Sequence, residues 1–312
     1  MTGLHRDRVI PATSRDAHPS RRVYSLLRKI RLFVVLGLGA ILSNSYLTVA
    51  KTKQIYSGPL KQGCVPFLNC HACPTAYMAC PVGMLQHFAG GLQVPLSLIG
   101  FLGAIGMVFG RAACGWLCPF GWIQDTLYKI RTRKFRLPPF LRYGKYVSLV
   151  VLAILLPALT EVHWFSRICP WGTLMAGIPW LLWNPVDPLV AMPVIEPDMV
   201  GWLYVLKLGV LSLFLLLFVL IKRPFCRTTC PLGAIYSLFN RASFMRMEVE
   251  GDCVDCDLCV DVCPVDIKIS DDPNAADCIR CLKCTVCKNV YVRWGISNAP
   301  GSITSAPAHP QG

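Results

Sequence analysis

Four long apolar runs, separated by polar loops, dominate the first 240 residues of the chain. The runs cover residues 32–50, 92–109, 146–159 with its flanks, and 202–221. Each is close to the length that a helix needs to cross about 30 Å of hydrocarbon. The pattern predicts an α-helical integral membrane protein with about four transmembrane helices.

The distribution of positive residues predicts how these helices are oriented. Eight Lys and Arg lie within residues 1–31 and eight between residues 111 and 145, whereas the loop after the third run has only Arg167. Lys and Arg accumulate in cytoplasmic loops. We therefore expect a multi-pass protein of the bacterial inner membrane with both termini in the cytoplasm. Because the net charge of +14 is explained by topology, nucleic acid is not an expected partner.

Changes in polarity divide the chain into four parts. We expect a basic cytoplasmic tail over 1–31, a membrane domain over 32–240, a soluble module over 241–296, and a disordered tail over 297–312. A twin-arginine pair precedes the first apolar run, but no small-residue cleavage site follows it, which favours an uncleaved anchor. Residues 170–183 are apolar but too short to span and suit an interfacial or re-entrant helix; a fifth span is the alternative.

The sequence Cys-Pro-x-Gly occurs four times and marks an internal duplication. Its cysteines are Cys80, Cys118, Cys169 and Cys230. Two copies have a second cysteine four residues upstream, at Cys114 and Cys226, and each of these full copies follows an apolar run. Full and reduced copies alternate along the chain, as expected if they alternate between the two faces of a membrane.

Cysteine spacing predicts a bacterial-type double [4Fe–4S] ferredoxin with an α+β fold in the C-terminal module. The chain has 17 cysteines, and the run that ends in Cys263-Pro264 has the spacing of such ferredoxins, in which the last cysteine ligates the other cluster. Crossed ligation assigns one cluster to Cys253, Cys256, Cys259 and Cys287, and a second to Cys278, Cys281, Cys284 and Cys263. Zinc is the alternative metal. Because the second run ends in Cys287-Lys288 without the usual gap and proline, a degraded or [3Fe–4S] first site is a further alternative.

Two further sites are predicted at the membrane edges. The full copies should bring four thiols together on the cytoplasmic side, where a third cluster is the hypothesis and simple packing the alternative. A fourth cluster on the outer face competes with disulfide bonds. The residues of the third and fourth sites are, respectively, Cys114, Cys118, Cys226 and Cys230, and Cys70, Cys73, Cys80 and Cys169.

Four ionisable residues near the outer face are candidates for a quinol site. A quinol site needs a proton acceptor close to the lipid headgroups, which histidine or glutamate can provide. A charge within an apolar span is a functional candidate by default. The candidates are His87, Glu161, His163 and Lys207, and the alternative is that they are interfacial residues facing water.

Together, the four apolar runs, the two Cys-x3-Cys-Pro motifs and the C-terminal eight-cysteine pattern resemble a known family. This is the membrane polyferredoxin family of the quinol dehydrogenase subunit of periplasmic nitrate reductase systems, with relatives among a nitrous-oxide reductase regulator and a copper-reducing assembly factor. The resemblance covers residues 32 to about 294. It implies electron transfer between the quinol pool and an iron–sulfur or multihaem cytochrome partner. A copper reductase or redox-regulatory protein, and a membrane anchor in which only the ferredoxin module carries electrons, are the alternatives.

Overall fold

The computed structural model describes residues 20–52, 54–183, 201–249, 257–287 and 289–295. Most of the predicted N-terminal tail, the predicted disordered tail, and the predicted ligands Cys253 and Cys256 lie outside these residues. The helices and helical turns are Ser20–Val34, Val35–Ile41, Val49–Thr52, Pro59–Gln62, Pro81–Gly90, Leu96–Phe109, Ala112–Trp116, Pro119–Leu127, Pro139–Tyr143, Gly144–Val147, Ser148–Leu155, Leu156–Thr160, Trp164–Ile168, Pro170–Gly172, Thr173–Gly177, Ile178–Trp183, Trp202–Leu220, Pro224–Thr228, Pro231–Phe239, Leu258–Val262 and Lys283–Val286.

Two helices in the described part of the chain are long and apolar enough to cross a membrane. They are Pro139–Thr160 and Trp202–Leu220, which contain the third and fourth predicted spans. The second predicted span forms a shorter helix, Leu96–Phe109, of 14 residues. At about 1.5 Å per residue this helix is shorter than the hydrocarbon layer. The prediction of four transmembrane helices is therefore not confirmed.

The first predicted span, 32–50, is wrong as a continuous helix. The helix begins earlier, at Ser20, and ends at Ile41, so it includes residues 20–31 and only the first part of the predicted span. Ser43 and Asn44 side chains donate hydrogen bonds to the carbonyl groups of Gly39 and Ala40 at its end. Such local bonds compete with continuation of the helix, and sequence hydropathy does not register them.

The C-terminal module contains a two-stranded antiparallel sheet with its own small core. Strand β1, Met245–Val249, pairs with strand β2, Val290–Trp294, with Met247 opposite Val292. Buried residues from β1, β2 and the intervening loops form the core beneath the sheet: Met245, Met247, Ile269, Leu282 and Val290. The N-terminal helix lies against this module, since the Tyr24 hydroxyl accepts a hydrogen bond from the Val292 amide.

The module is docked on the helical part of the chain through close backbone contacts. The Trp116 indole donates to the carbonyl of Arg280, and the Asn240 amide donates to the carbonyl of Cys278. At Gly115 the approach is closest, because a Cβ atom there would lie 2.4 Å from the Ile279 carbonyl oxygen. The loop that carries Cys278 and Cys281 is therefore held directly against the helix Ala112–Trp116.

We expect Gly115→Ala to weaken this docking, because backbone atoms in close contact cannot move aside easily. The expected loss is about 1–3 kcal/mol or more, typical of overpacking. Thermal unfolding and protease sensitivity of the C-terminal module in the detergent-solubilised protein would measure it. Gly103→Ala is the matched control, since no other atom lies within 4 Å of its Cβ position. Equal behaviour of the two variants would contradict the docking geometry.

Candidate metal centre

All four Cys-Pro-x-Gly copies have the same local structure. Each cysteine is extended, with φ between −79° and −64° and ψ between 109° and 129°, and the following proline is the first residue of a helix. Proline suits this position because the first helical residues have no intrahelical acceptor for their N–H groups. A helix therefore starts just after each cysteine and places the thiol at its N-terminus, where a negative charge is favoured.

The two full copies bring their four thiols together in what we call the middle group: Cys114, Cys118, Cys226 and Cys230. All four cysteines are buried. The thiols of Cys118, Cys226 and Cys230 each lie close enough to other thiols of the group to interact with them electrostatically. The Gln124 amide donates a hydrogen bond to the Cys226 sulfur over 3.1 Å. Residues more than 100 positions apart therefore meet, as the duplication predicted.

The two reduced copies meet in the same way, with the loop before Cys80 completing the set. This outer group consists of Cys70, Cys73, Cys80 and Cys169. Cys70 lies near the other three thiols, and a Cβ at Gly172 would be 3.8 Å from both the Cys169 Cβ and the Cys70 sulfur. The extra cysteine of this face, Cys64, is half-buried and near Cys80.

In the C-terminal module, four cysteines that were predicted to share one cluster lie near one another. Cys263, from the first run, lies near Cys278, Cys281 and Cys284 of the second run. We call these four the module group. Cys259 and Cys287 both pack against the small core of the module, but the other two predicted ligands of that cluster lie outside the described residues.

Cysteine thiolates are the protein ligands of iron–sulfur clusters, and the chemistry of these buried groups fits such a cluster. None of the fifteen described cysteines forms a disulfide, and no three His, Cys, Asp or Glu of the described residues lie close enough to hold one metal ion. A cubane cluster takes its thiolates at separate corners, so its ligands are spaced more widely than those of one ion. Burial raises the pKa of Cys118, Cys169 and Cys278 to about 12, so these groups need a bound cation to be thiolates at neutral pH.

Members of all three groups lie in one continuous hydrophobic core. Aromatic rings close in sequence to cysteines of the middle and outer groups pack against one another: the Phe120 centroid is 5.1 Å from those of Trp171 and Phe225. Phe120 and Trp171 are the variable residues of two Cys-Pro-x-Gly copies. On the other side, a Cβ at Gly115, the neighbour of Cys114, would lie 3.5 Å from the Cys281 Cβ.

A cavity of about 500 Å³ opens beside the outer group. Cys70, Cys80 and Cys169 line it, together with three of the four predicted quinol-site residues, Glu161, His163 and Lys207. The fourth, His87, does not line the cavity, although its ring centroid is 6.1 Å from that of His163.

Sequence reasoning missed other residues that line the cavity. The buried indole nitrogens of Trp171 and Trp180 have no hydrogen-bond partner among the described residues. His71 and Tyr204 also line the cavity. Trp171 and Trp180 were visible in the sequence only as part of a tryptophan-rich segment, because hydropathy gives no indication of which rings face a cavity.

Three carboxylates pair with the cations between the helical part and the module. Asp277, which precedes Cys278, pairs with Arg111, Arg142 and Lys145. Asp125 pairs with Arg31, Arg223 and Lys283, and Asp266 pairs with Lys222 and Arg227. The pKa of Asp125 falls to about 2 because the nearby cations outweigh burial, which alone would raise it.

These features define a class of protein. Buried cysteine groups on duplicated Cys-Pro turns, joined to a small α+β module, are typical of a membrane-associated iron–sulfur protein of the ferredoxin type. The family model described as a 4Fe-4S binding domain matches residues 93–138 and 202–247. Each match contains one full Cys-x3-Cys-Pro copy.

Known proteins place the chain within this class. Two uncharacterised proteins of Methanocaldococcus jannaschii are 29% and 30% identical to it, over 67% and 69% of this chain and 83% and 77% of their own lengths. The ferredoxin-type protein NapH of Escherichia coli is 24% identical over 86% of this chain and 89% of its own length. The methylamine utilization ferredoxin-type protein MauN of Methylorubrum extorquens is 31% identical over 50% of this chain and 48% of its own.

The chain belongs to the NapH-type membrane polyferredoxin family. It is therefore an iron–sulfur electron-transfer protein associated with a membrane. No solved structure matches it.

Asp277→Asn tests the charge balance at this site. The substitution would leave the buried cations Arg111 and Lys145 without their counter-ion, and breaking a buried pair costs about 3–5 kcal/mol. We expect a clear fall in the thermal unfolding temperature. In the control Asp272→Asn, the affected pair with Arg241 is exposed, and exposed pairs contribute little. A silent Asp277→Asn variant would contradict the buried ion-pair arrangement.

Proposed function

We propose that the chain oxidises a membrane quinol in the cavity beside the outer group and passes the electrons through its cysteine-bound centres to a redox partner. The observation that carries this proposal is the sequence of contacts in the core. The cavity borders the outer group, and the rings of Phe120 and Trp171, each two residues after a cysteine of the middle or outer group, are in contact. Gly115, next to Cys114 of the middle group, lies against Cys281 of the module group.

The residues that would hold the clusters are those of the three described groups and the half-described fourth set. The fourth set is Cys253, Cys256, Cys259 and Cys287. When bound, each cluster supplies a one-electron redox centre whose potential depends on burial and hydrogen bonding. The family-model matches fall on the two full copies, which supports a cluster at the middle group in addition to those of the C-terminal module.

Quinol oxidation releases two protons and two electrons, and the cavity has residues suited to both. Partial burial, with the nearby His87 and Arg167, holds the pKa of His163 below its ordinary value. His163 is therefore neutral at pH 7 and can accept a proton. Glu161 is exposed at the cavity rim and can carry protons to water. The free indole N–H groups of Trp171 and Trp180 can hydrogen-bond the quinol oxygens.

The proposal includes a location and a type of partner. The outer group would face the outside of the cell membrane and the module the cytoplasm, as the loop charges favour. The relatives NapH and MauN are named as ferredoxin-type proteins, and MauN as a protein of methylamine utilization, which supports a redox partner for this chain. An iron–sulfur protein or a multihaem cytochrome is the partner class that we propose.

The first prediction concerns cluster content. Anaerobically purified protein is expected to contain about 12 to 16 iron atoms with matching acid-labile sulfide, rather than the roughly 8 of a double-cubane ferredoxin alone. Cys118→Ser and Cys230→Ser should each remove one EPR signal and its iron. Cys64→Ser, which changes a half-buried thiol outside the groups, is the control. A content of about 8 iron atoms in the unaltered protein would overturn the proposal for the membrane cysteines.

The second prediction concerns the cavity. Lys207→Leu removes a cation that lines it, and we expect the rate of cluster reduction by a soluble quinol to fall at least about tenfold. Reduction by dithionite, which needs no quinol site, should be unchanged. Lys129→Leu, an exposed lysine outside the cavity, is the control. Equal loss of quinol- and dithionite-driven reduction would indicate damage to the clusters and not a quinol site.

A further inference from the structure

Two buried arginines, one near each full copy, each donate a hydrogen bond to a backbone carbonyl of the other copy. Arg111 lies three residues before Cys114, and Arg223 lies three residues before Cys226. The Arg111 guanidinium donates to the carbonyl oxygen of Cys226, whereas the Arg223 guanidinium donates to the carbonyl oxygen of Cys114 over 3.0 Å. Each full copy thus holds the upstream cysteine of the other copy.

The glycine of each full copy makes room for this exchange. A Cβ at Gly121 would lie 2.9 Å from a terminal nitrogen of Arg223, and a Cβ at Gly233 would lie 2.6 Å from one of Arg111. The spacing from arginine to glycine is ten residues in both copies. The full motif is therefore Arg-x2-Cys-x3-Cys-Pro-x-Gly. The arginine of each copy lies against the glycine of the other copy.

The two arginines bring a permanent positive charge to the middle group. Both side chains are at most 1% exposed, and a guanidinium stays protonated at any physiological pH. Arg223 forms a two-point ion pair with Asp125, over 2.7 and 2.8 Å, and Arg111 pairs with Asp277 over 3.2 Å. Since each carboxylate is shared among three cations, the positive charge is only partly compensated.

We propose that Arg111 and Arg223 are positioning residues that join the two halves of the middle group and raise the reduction potential of the cluster it would hold. The inference rests on the proposed function, since it requires a cluster at these four cysteines. A reduced cluster carries one more negative charge than an oxidised one. Fixed cations in a low-dielectric core stabilise the reduced form more than the oxidised form. The hydrogen bonds to the cysteine carbonyl groups hold the two cysteine pairs in position relative to each other.

The experiment is an EPR-monitored redox titration of the full-length, detergent-solubilised protein. We expect Arg111→Gln and Arg223→Gln each to shift the midpoint potential of the signal that depends on Cys118 and Cys230 to more negative values. Arg111→Lys and Arg223→Lys keep the charge and should return the midpoint toward that of the unaltered protein. Arg142→Gln is the control, because Arg142 pairs with Asp277 but is partly exposed and holds no cysteine carbonyl.

Asp125→Asn provides a test that keeps both arginines. Removing the carboxylate beside Arg223 should move the same midpoint in the opposite direction, to more positive values, and this variant decides the matter if a Gln variant loses its cluster. An unchanged midpoint in both the Gln and the Asn variants would overturn the inference. Absence of the signal from the unaltered protein would instead overturn the proposed function, so the two failures are distinguishable.

Discussion

An extended cysteine followed by a proline-initiated helix is the local unit on which the whole centre depends. At each of the four copies the helix N-terminus offers unpaired N–H groups and a partial positive charge to the thiol. In each copy burial is the larger effect and raises the thiol pKa, while the backbone amide of the motif glycine opposes it. The protein can therefore bury many thiols in an apolar core, provided that a cation completes each group.

Full and reduced copies contribute different numbers of cysteines to a group of four. A full copy supplies two cysteines, so two such copies complete the middle group. A reduced copy has Ala76 or Phe165 at the upstream position, and both are buried in the core. The loop cysteine Cys70 lies close to Cys73, Cys80 and Cys169, and Cys70 and Cys73 would provide the missing ligands of a cluster at this group. The two full copies thus contribute equally to the middle group, whereas the outer group also needs loop cysteines and borders a cavity.

Local spacing made several features predictable from the sequence. The crossing of Cys263 into the second run follows from ferredoxin spacing, and the meeting of Cys114 with Cys226 follows from the duplication. Two features depend on tertiary contacts and were not predictable: the aromatic packing around Phe120 and the ion pairs of Asp277. The end of the first helix at Ile41 depends on local hydrogen bonds of Ser43 and Asn44, which hydropathy does not register. Arg111 and Arg223 could have been found, because both stand three residues before the upstream cysteine, but a search for metal ligands passes over arginine.

The hydrogen bond between Tyr24 and Val292 has a consequence for assembly. Its two partners are 268 residues apart in sequence, so this contact can form only after the last described strand has left the ribosome. Contacts of such long range form late in folding. The N-terminal helix can therefore make this contact with the module only after residue 292 has been synthesised.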